Sequence, residues 1–242
     1  MQQNDPMEKR LASWGKSWAA SGRTPELSEE LLDKVSRGLK PSLTPVRPIP
    51  RRGALVLLFL ALLIVTATAL IALLSKQGLM MMTALQIAIM AAILGTGGIL
   101  FAVSLTAQMV PGTRQSLSTP VLLGLSSLGV IGAFAVLFPW NLPPGFASEG
   151  WPCGALELVI AVPSTLVFRA LARRGALFSS PALGATMTGL SVFLALIPLQ
   201  TQCMFLDAPH LLVWHGATGA VVVALGALAG GRSHAAAGRL GR

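Results

Sequence analysis

Apolar and polar positions divide the chain into two unlike parts. Beyond residue 53, long apolar runs with almost no charged residues follow one another near 54–75, 81–110, 119–139, 153–172, 182–200 and 211–230. Each run is close to the roughly 20 residues that a helix needs to cross a bilayer, except the second, which is longer and contains Gly95, Gly97 and Gly98. The pattern predicts an all-α bundle of six transmembrane helices in a lipid bilayer over residues 53–231, followed by a basic tail at 232–242.

The first 52 residues show apolar positions at helical spacing in two short segments. Asp5-Pro6 and Thr24-Pro25 are typical helix starts, since each places a capping residue before a proline in the first turn. Two such helices cannot form a core of their own. We therefore expect a partner protein to bind their apolar stripes, rather than the membrane surface or each other; a partly disordered tail is the other alternative. The first stripe consists of Met7, Leu11, Trp14 and Trp18, and the second of Leu27, Leu31 and Val35. A proline-rich linker at residues 40–50 follows them.

The distribution of charge predicts how the chain is oriented. Only 11% of the residues are charged and the mean hydropathy is +0.70, as expected for a membrane protein. The net charge of +9 does not indicate nucleic acid, because ten of the eighteen basic residues precede residue 53. With the N-terminus inside, seventeen of the eighteen lie on the cytoplasmic side and only Lys76 does not. We expect a multi-pass protein of a bacterial inner membrane with both termini in the cytoplasm.

The chain contains no motif of a common enzyme class. It has no Walker loop, nucleophile elbow, HExxH helix or dinucleotide fingerprint, so we expect neither catalysis nor a bound cofactor. Transport is poorly supported as well, because the predicted spans hold few ionisable residues besides Glu157 and His215.

Reactive side chains gather in residues 202–215, at the edge of an apolar run. Cys203 follows the fifth predicted span and Cys153 opens the fourth, so the predicted topology places both on the outer side. There a disulfide between them, inert packing and a sensing role all remain open. The spacing matches no recognised metal motif and leaves the metal unassigned. The residues that can support a soft metal or a response to oxidants are Glu157, which is four residues after Cys153, and Asp207, His210 and His215.

Two short motifs resemble a known family. The first is Trp151-Pro152-Cys153, leading to a span that ends in Arg173-Arg174-Gly175. The second is Cys203, followed by Asp207-Ala208-Pro209 and Trp214-His215. Together with a short N-terminal region and six spans, these motifs are similar to the NrsF-type membrane anti-sigma factors.

The resemblance implies a function. In such proteins the cytoplasmic N-terminal segment binds an extracytoplasmic-function sigma factor, and a pair of outer cysteines takes part in signal perception. By position these are Cys153 and Cys203. The N-terminal segment lacks the His-x-x-x-Cys-x-x-Cys arrangement of zinc-containing anti-sigma factors, since all cysteines and histidines lie beyond residue 150. We expect an anti-sigma factor that releases its sigma factor on a signal. A membrane thiol-disulfide oxidoreductase is the alternative, although no CxxC motif is present, and a small transporter is less favoured.

Overall fold

A computed structural model of the chain describes residues 51–110, 112–142, 144–172 and 180–240, with side chains up to residue 232. The described residues form helices and connections without any strand. The seven residues of the predicted sigma-factor surface, Met7 to Val35, lie outside this part of the chain, as does the Arg173-Arg174-Gly175 motif.

Within the described part of the chain, six helices are long and apolar enough to cross a membrane, which confirms the predicted all-α architecture. The last of these spans, Ala208–Arg232, runs through two short segments into a longer helix. In chain order the elements are α1 (Arg52–Leu73), α2 (Gln77–Met81), α3 (Ala84–Met109), α4 (Thr119–Leu137), α5 (Phe146–Ala172), α6 (Pro181–Gln202), α7 (Ala208–His210), a π-helical turn (Leu211–Ala217) and α8 (Thr218–Leu240).

Two predicted starts differ from the structure. The second span starts at Ala84 rather than at residue 81, because α2 ends at Met81 and Thr83 caps the next helix through a reciprocal capping box with Gln86. The fourth span begins at Phe146 rather than at residue 153, so Cys153 lies about two turns inside α5. A helix need not be apolar outside the bilayer, and Glu149 in its first turn suits the positive end of the helix dipole.

Helix α6 is the centre of the bundle. About 83% of the residues in its membrane-spanning part are buried, against 22–39% in the other spans. Helix α6 also contacts each of those spans. Its sequence is rich in small and hydroxyl-bearing residues, which let neighbouring helices approach closely. Close packing matters in a bilayer, because no hydrophobic effect drives apolar helices together there.

Hydroxyl groups connect α6 to its neighbours. Thr165 on α5 donates to the Ser191 hydroxyl at 2.9 Å, and Gln108 on α3 donates to the Thr186 hydroxyl at 2.9 Å. Both α6 hydroxyls also donate to carbonyls one turn earlier in their own helix, so they need no water. The outer surfaces of the other spans are apolar, with large exposed side chains such as Leu57, Val136 and Val159. The chain therefore has the architecture of a multi-pass membrane protein with its apolar surface toward lipid.

The two ends of the bundle differ in charge. We call the end formed by connections 74–83, 138–145 and 203–207 the cysteine end. Lys76 lies in its first connection. The other lysine and arginine residues with described side chains belong to the opposite end, namely Arg51, Arg52, Arg114, Arg169 and Arg232. The orientation of these ends in the cell stays a prediction.

The hydrogen bond between α3 and α6 supplies a test of this packing. The substitution Thr186→Val keeps the shape of the side chain and removes the bond from Gln108, so we expect it to lower the free energy of unfolding by about 0.6–1.7 kcal/mol. Thr188→Val is the matched control, because the Thr188 hydroxyl bonds only to carbonyls of its own helix. Unfolding by denaturant in micelles measures both variants, and equal losses would contradict the cross-helix role of Thr186.

Candidate metal centre

Four side chains from three spans meet at the cysteine end. Cys153 lies on α5, Cys203 is the residue that ends α6, His210 belongs to α7, and His215 lies in the π-helical turn. The peptide N–H of Cys203 donates to the Leu199 carbonyl at 2.8 Å, which fixes this cysteine as the last residue of the helical ladder. We call the four residues the Cys2His2 centre.

The potential ligand atoms of the centre lie close together. The two sulfurs are 3.9 Å apart, and the Cys203 sulfur is 3.4 Å from Nε2 of His210. All four ligand atoms, one from each residue, lie within 4.8 Å of one another. Cys203, His210 and His215 are buried and Cys153 is half-buried, so the cluster is within the protein rather than on its surface.

The π-helical turn aligns the two histidines. Residues 210 and 215 are five apart, which in an α-helix would place them about 140° apart around the axis. In a π-helix the hydrogen bond runs from residue i to residue i+5, so the fifth residue takes the place one turn above the first. The His210 and His215 rings accordingly lie 5.6 Å apart between centroids. The local backbone geometry therefore turns two separated histidines into neighbouring donors.

Contacts from other elements hold the turn in place. The peptide N–H of Ala208 donates to the Pro139 carbonyl at 2.8 Å, and the Trp214 indole donates to the Phe146 carbonyl at 3.1 Å. The edge of the Phe134 ring meets His215 at a centroid distance of 6.5 Å. These two hydrogen bonds join the last span to α5 and to the connection after α4, close to the Cys2His2 centre.

Two separations within the centre match those around a tetrahedral d¹⁰ cation. With metal–sulfur bonds of about 2.3 Å and metal–nitrogen bonds of about 2.0 Å, tetrahedral geometry places two sulfurs about 3.8 Å apart and a sulfur and a nitrogen about 3.5 Å apart. The sulfur–sulfur separation of 3.9 Å and the sulfur–nitrogen separation of 3.4 Å lie within 0.1 Å of these values. Both ring nitrogens of His215 are buried without a hydrogen-bond partner among the described residues, and coordination would satisfy one of them.

The cysteines are free thiols in contact rather than a disulfide. A disulfide would bring the sulfurs to about 2.05 Å. The Cys203 sulfur also lies 3.5 Å from the Phe205 carbonyl oxygen. The hydrogen bond with Cys153, together with burial, raises the pKa of the Cys203 thiol. A cation that binds both sulfurs as thiolates must therefore displace protons.

Two predicted supporting residues are not among the four. Asp207 precedes α7 as its capping residue without a side-chain hydrogen bond to the helix. Glu157 is fully buried, and neither of its oxygens has a hydrogen-bond partner among the described residues. It faces the last span one turn beyond His215, where a Cβ on Gly219 would lie 2.9 Å from its Oε1. Glu157 is therefore a neighbour of the centre and not one of its four donors.

Comparisons with protein-family models, with curated proteins and with solved structures find no match to the chain.

Three methionines lie beside the centre and form no known sequence motif. Met80, Met81 and Met204 lie at the cysteine end, and all three are exposed. A run of three methionines at 80–82 is the only signal in the sequence, and it merges with the apolar run that follows.

The π-helical turn leads to a test by changes of chain length. Deletion of Val213, which is exposed, leaves four residues of separation between the histidines, and in an α-helix that spacing also places them on one face. We expect the deletion variant to retain stoichiometric Zn²⁺ binding. Insertion of one alanine between Val213 and Trp214 should abolish it. Equilibrium dialysis of the purified full chain measures both, and binding that survives the insertion but not the deletion would contradict the proposed alignment.

Proposed function

We propose that the protein is a membrane regulator that responds to a soft or borderline metal cation bound by the Cys2His2 centre. We further propose that its N-terminal segment binds an extracytoplasmic-function sigma factor, so that the protein acts as an anti-sigma factor of a bacterial inner membrane. The observation that carries the metal site is the convergence of four ligand atoms within 4.8 Å of one another. Two thiols and two imidazoles form a ligand set that favours Zn²⁺ or Cu⁺ over hard cations.

The origin of the ligands supports a regulatory role. Cys153, Cys203 and the histidine pair come from α5, α6 and the last span, which also contact one another through side-chain packing and a few hydrogen bonds. A cation bound to all four fixes the relative positions of these spans at the cysteine end. Cation binding can change the opposite end of the bundle only if the cation binds one arrangement of the helices more tightly than another.

A cleft gives water access to the sulfurs. Its volume is about 220 Å³, and its lining includes both Cys153 and Cys203 together with the polar side chains of Gln77, Glu149 and Gln202. A cation in solution can therefore reach the sulfurs at the cysteine end without crossing the apolar bundle. Such access suits a site that exchanges its ion with the surroundings, as a sensor must. The predicted topology would put this cleft on the outer side of the membrane.

Support for the sigma-factor partner comes from the N-terminal pattern and the family resemblance. Two capped apolar stripes, with Trp14 and Trp18 on the first, need a protein surface to cover them. An amphipathic helix that covers a sigma factor can keep it from RNA polymerase, and tethering to the membrane keeps it away from the nucleoid.

Thiol-disulfide exchange is the second candidate function. The contact between the sulfurs at 3.9 Å favours it, because two thiols this close can form a disulfide with little movement of the backbone. That reaction would transfer two electrons and two protons to an acceptor such as a quinone or a substrate disulfide. The fully buried histidine donors distinguish the hypotheses, since dithiol chemistry does not need a second imidazole.

Substitutions separate donors from neighbours. We expect Cys203→Ser and His215→Ala to abolish stoichiometric Zn²⁺ binding, because each removes one of four donors. Glu157→Gln and Asp207→Asn are the controls. They should leave the affinity within about threefold, because large losses come from groups hydrogen-bonded to a ligand, and neither carboxylate bonds to one of the four donors among the described residues. Metal analysis after dialysis of the full chain in nanodiscs decides the question. Loss of binding in Glu157→Gln alone would show that the ligand set is wrong.

The sigma-factor partner is tested in the native host. The tagged full chain should co-purify with an extracytoplasmic-function sigma factor. Leu31→Asp should abolish this co-purification, because burying an unpaired charge in an apolar contact is strongly unfavourable. Leu57→Asn, on the lipid-facing side of α1, is not expected to affect co-purification as long as the protein is inserted. Recovery of the protein without any sigma factor would overturn the anti-sigma proposal and leave the metal centre standing.

A further inference from the structure

The short helix α2 presents sulfur-bearing side chains at the cysteine end. It packs on the end of α6, where Gly78 is buried and a Cβ would collide with the backbone carbonyl of Cys203. This close packing turns the opposite side of α2 outward. Met80 is 83% exposed and Met81 is 61% exposed.

A third methionine joins them from another connection. Met204 directly follows Cys203 and is 49% exposed. It lines one shallow depression of about 480 Å³ together with Lys76, Gln77, Met80 and Met81. We call this depression the methionine site.

The methionine site adjoins the cleft of the Cys2His2 centre. Gln77 and Met204 line both concavities, and the sulfurs of Cys153 and Cys203 lie on the wall of the cleft. An ion held by the thioethers is therefore next to the path that leads to the thiols.

The chemistry of the methionine site is selective. Its five lining residues include no carboxylate, imidazole or thiol, so Zn²⁺, Ca²⁺ and Mg²⁺ find only the amide oxygen of Gln77 as a side-chain ligand. A thioether is neutral and polarizable, and thioether ligands select Cu⁺. Lys76 contributes an ammonium group that repels a cation, so binding here is weaker than at two thiolates.

We propose that Met80, Met81 and Met204 bind Cu⁺ and that the methionine site is where this ion is captured before it passes to the Cys2His2 centre. The transfer is a ligand exchange without a change of oxidation state. The ion leaves neutral thioethers and binds cysteine sulfur, and the displaced thiol protons pass to water in the cleft. Capture by thioethers is independent of the proposed function, whereas delivery to the centre rests on it.

The competing explanation is that the methionines are merely apolar side chains at the lipid boundary. Leucine keeps the apolar surface and size of methionine but has no sulfur, so methionine-to-leucine substitutions separate the two explanations. Met82 is the matched control, because it follows Met81 in the chain but packs against the hydrophobic core instead of lining the depression.

The experiment isolates the methionine site by removing the thiols. Full-length protein with Cys153→Ser and Cys203→Ser is placed in nanodiscs, and its binding of Ag⁺, a redox-inert stand-in for Cu⁺, is measured by calorimetry. We expect one Ag⁺ per chain. Adding Met80→Leu, Met81→Leu and Met204→Leu should weaken binding more than about tenfold, and adding Met82→Leu should not. Lys76→Gln should tighten it.

The outcomes distinguish this proposal from the proposed function. Equal Ag⁺ affinity with and without the three methionines, in variants that unfold at the same temperature, overturns the methionine site. With the cysteines present, stopped-flow mixing with a Cu⁺ chelate should show slower loading of the centre in the triple leucine variant and unchanged Zn²⁺ affinity. If the methionines bind Ag⁺ but the intact chain binds no second ion, only delivery and the metal-responsive function fail.

Discussion

Polar side chains that are buried at one end of an apolar bundle must satisfy one another or hold something that satisfies them. The Cys2His2 centre follows from this constraint. Its two sulfurs and one imidazole already lie at hydrogen-bonding separations, while His215 is fully buried with neither nitrogen bonded among the described residues. Orphaned buried groups of this kind cost about 1–3 kcal/mol each. A cation bound by all four donors would remove much of that cost, and it would link three spans at this end of the bundle.

The rest of the bundle serves to place these four residues. The central helix α6 ends at Cys203 and contacts each of the other spans, so its position fixes one sulfur relative to the whole structure. Helix α5 carries Cys153 about two turns from its start, which puts the second sulfur at the same level. The π-helical turn then brings both histidines to one side of the last span. Function in this interpretation depends on backbone register more than on any sequence motif.

The sequence predicts the spans better than the centre. Uninterrupted apolar length identifies six helices, but it misplaces the starts of α3 and α5, because capping at Thr83 and a polar first turn at Phe146 are invisible to hydropathy. Topology predicts that Cys153 and Cys203 share an end of the bundle, which the structure confirms, without predicting contact. The histidine pair could not be predicted, since an α-helical register separates residues five apart. Glu157 shares a helical face with Cys153 as expected, yet it faces Gly219 instead of joining the donors.

X-ray absorption at the zinc edge of the Zn²⁺-loaded full chain tests the central claim most directly. We predict two sulfur neighbours at about 2.3 Å and two nitrogen neighbours at about 2.0 Å, and no stoichiometric zinc in the Cys153→Ser and Cys203→Ser double variant. A first shell of oxygen and nitrogen alone in the unaltered protein, or a shell that does not change in the double variant, would contradict a metal centre formed by these four residues.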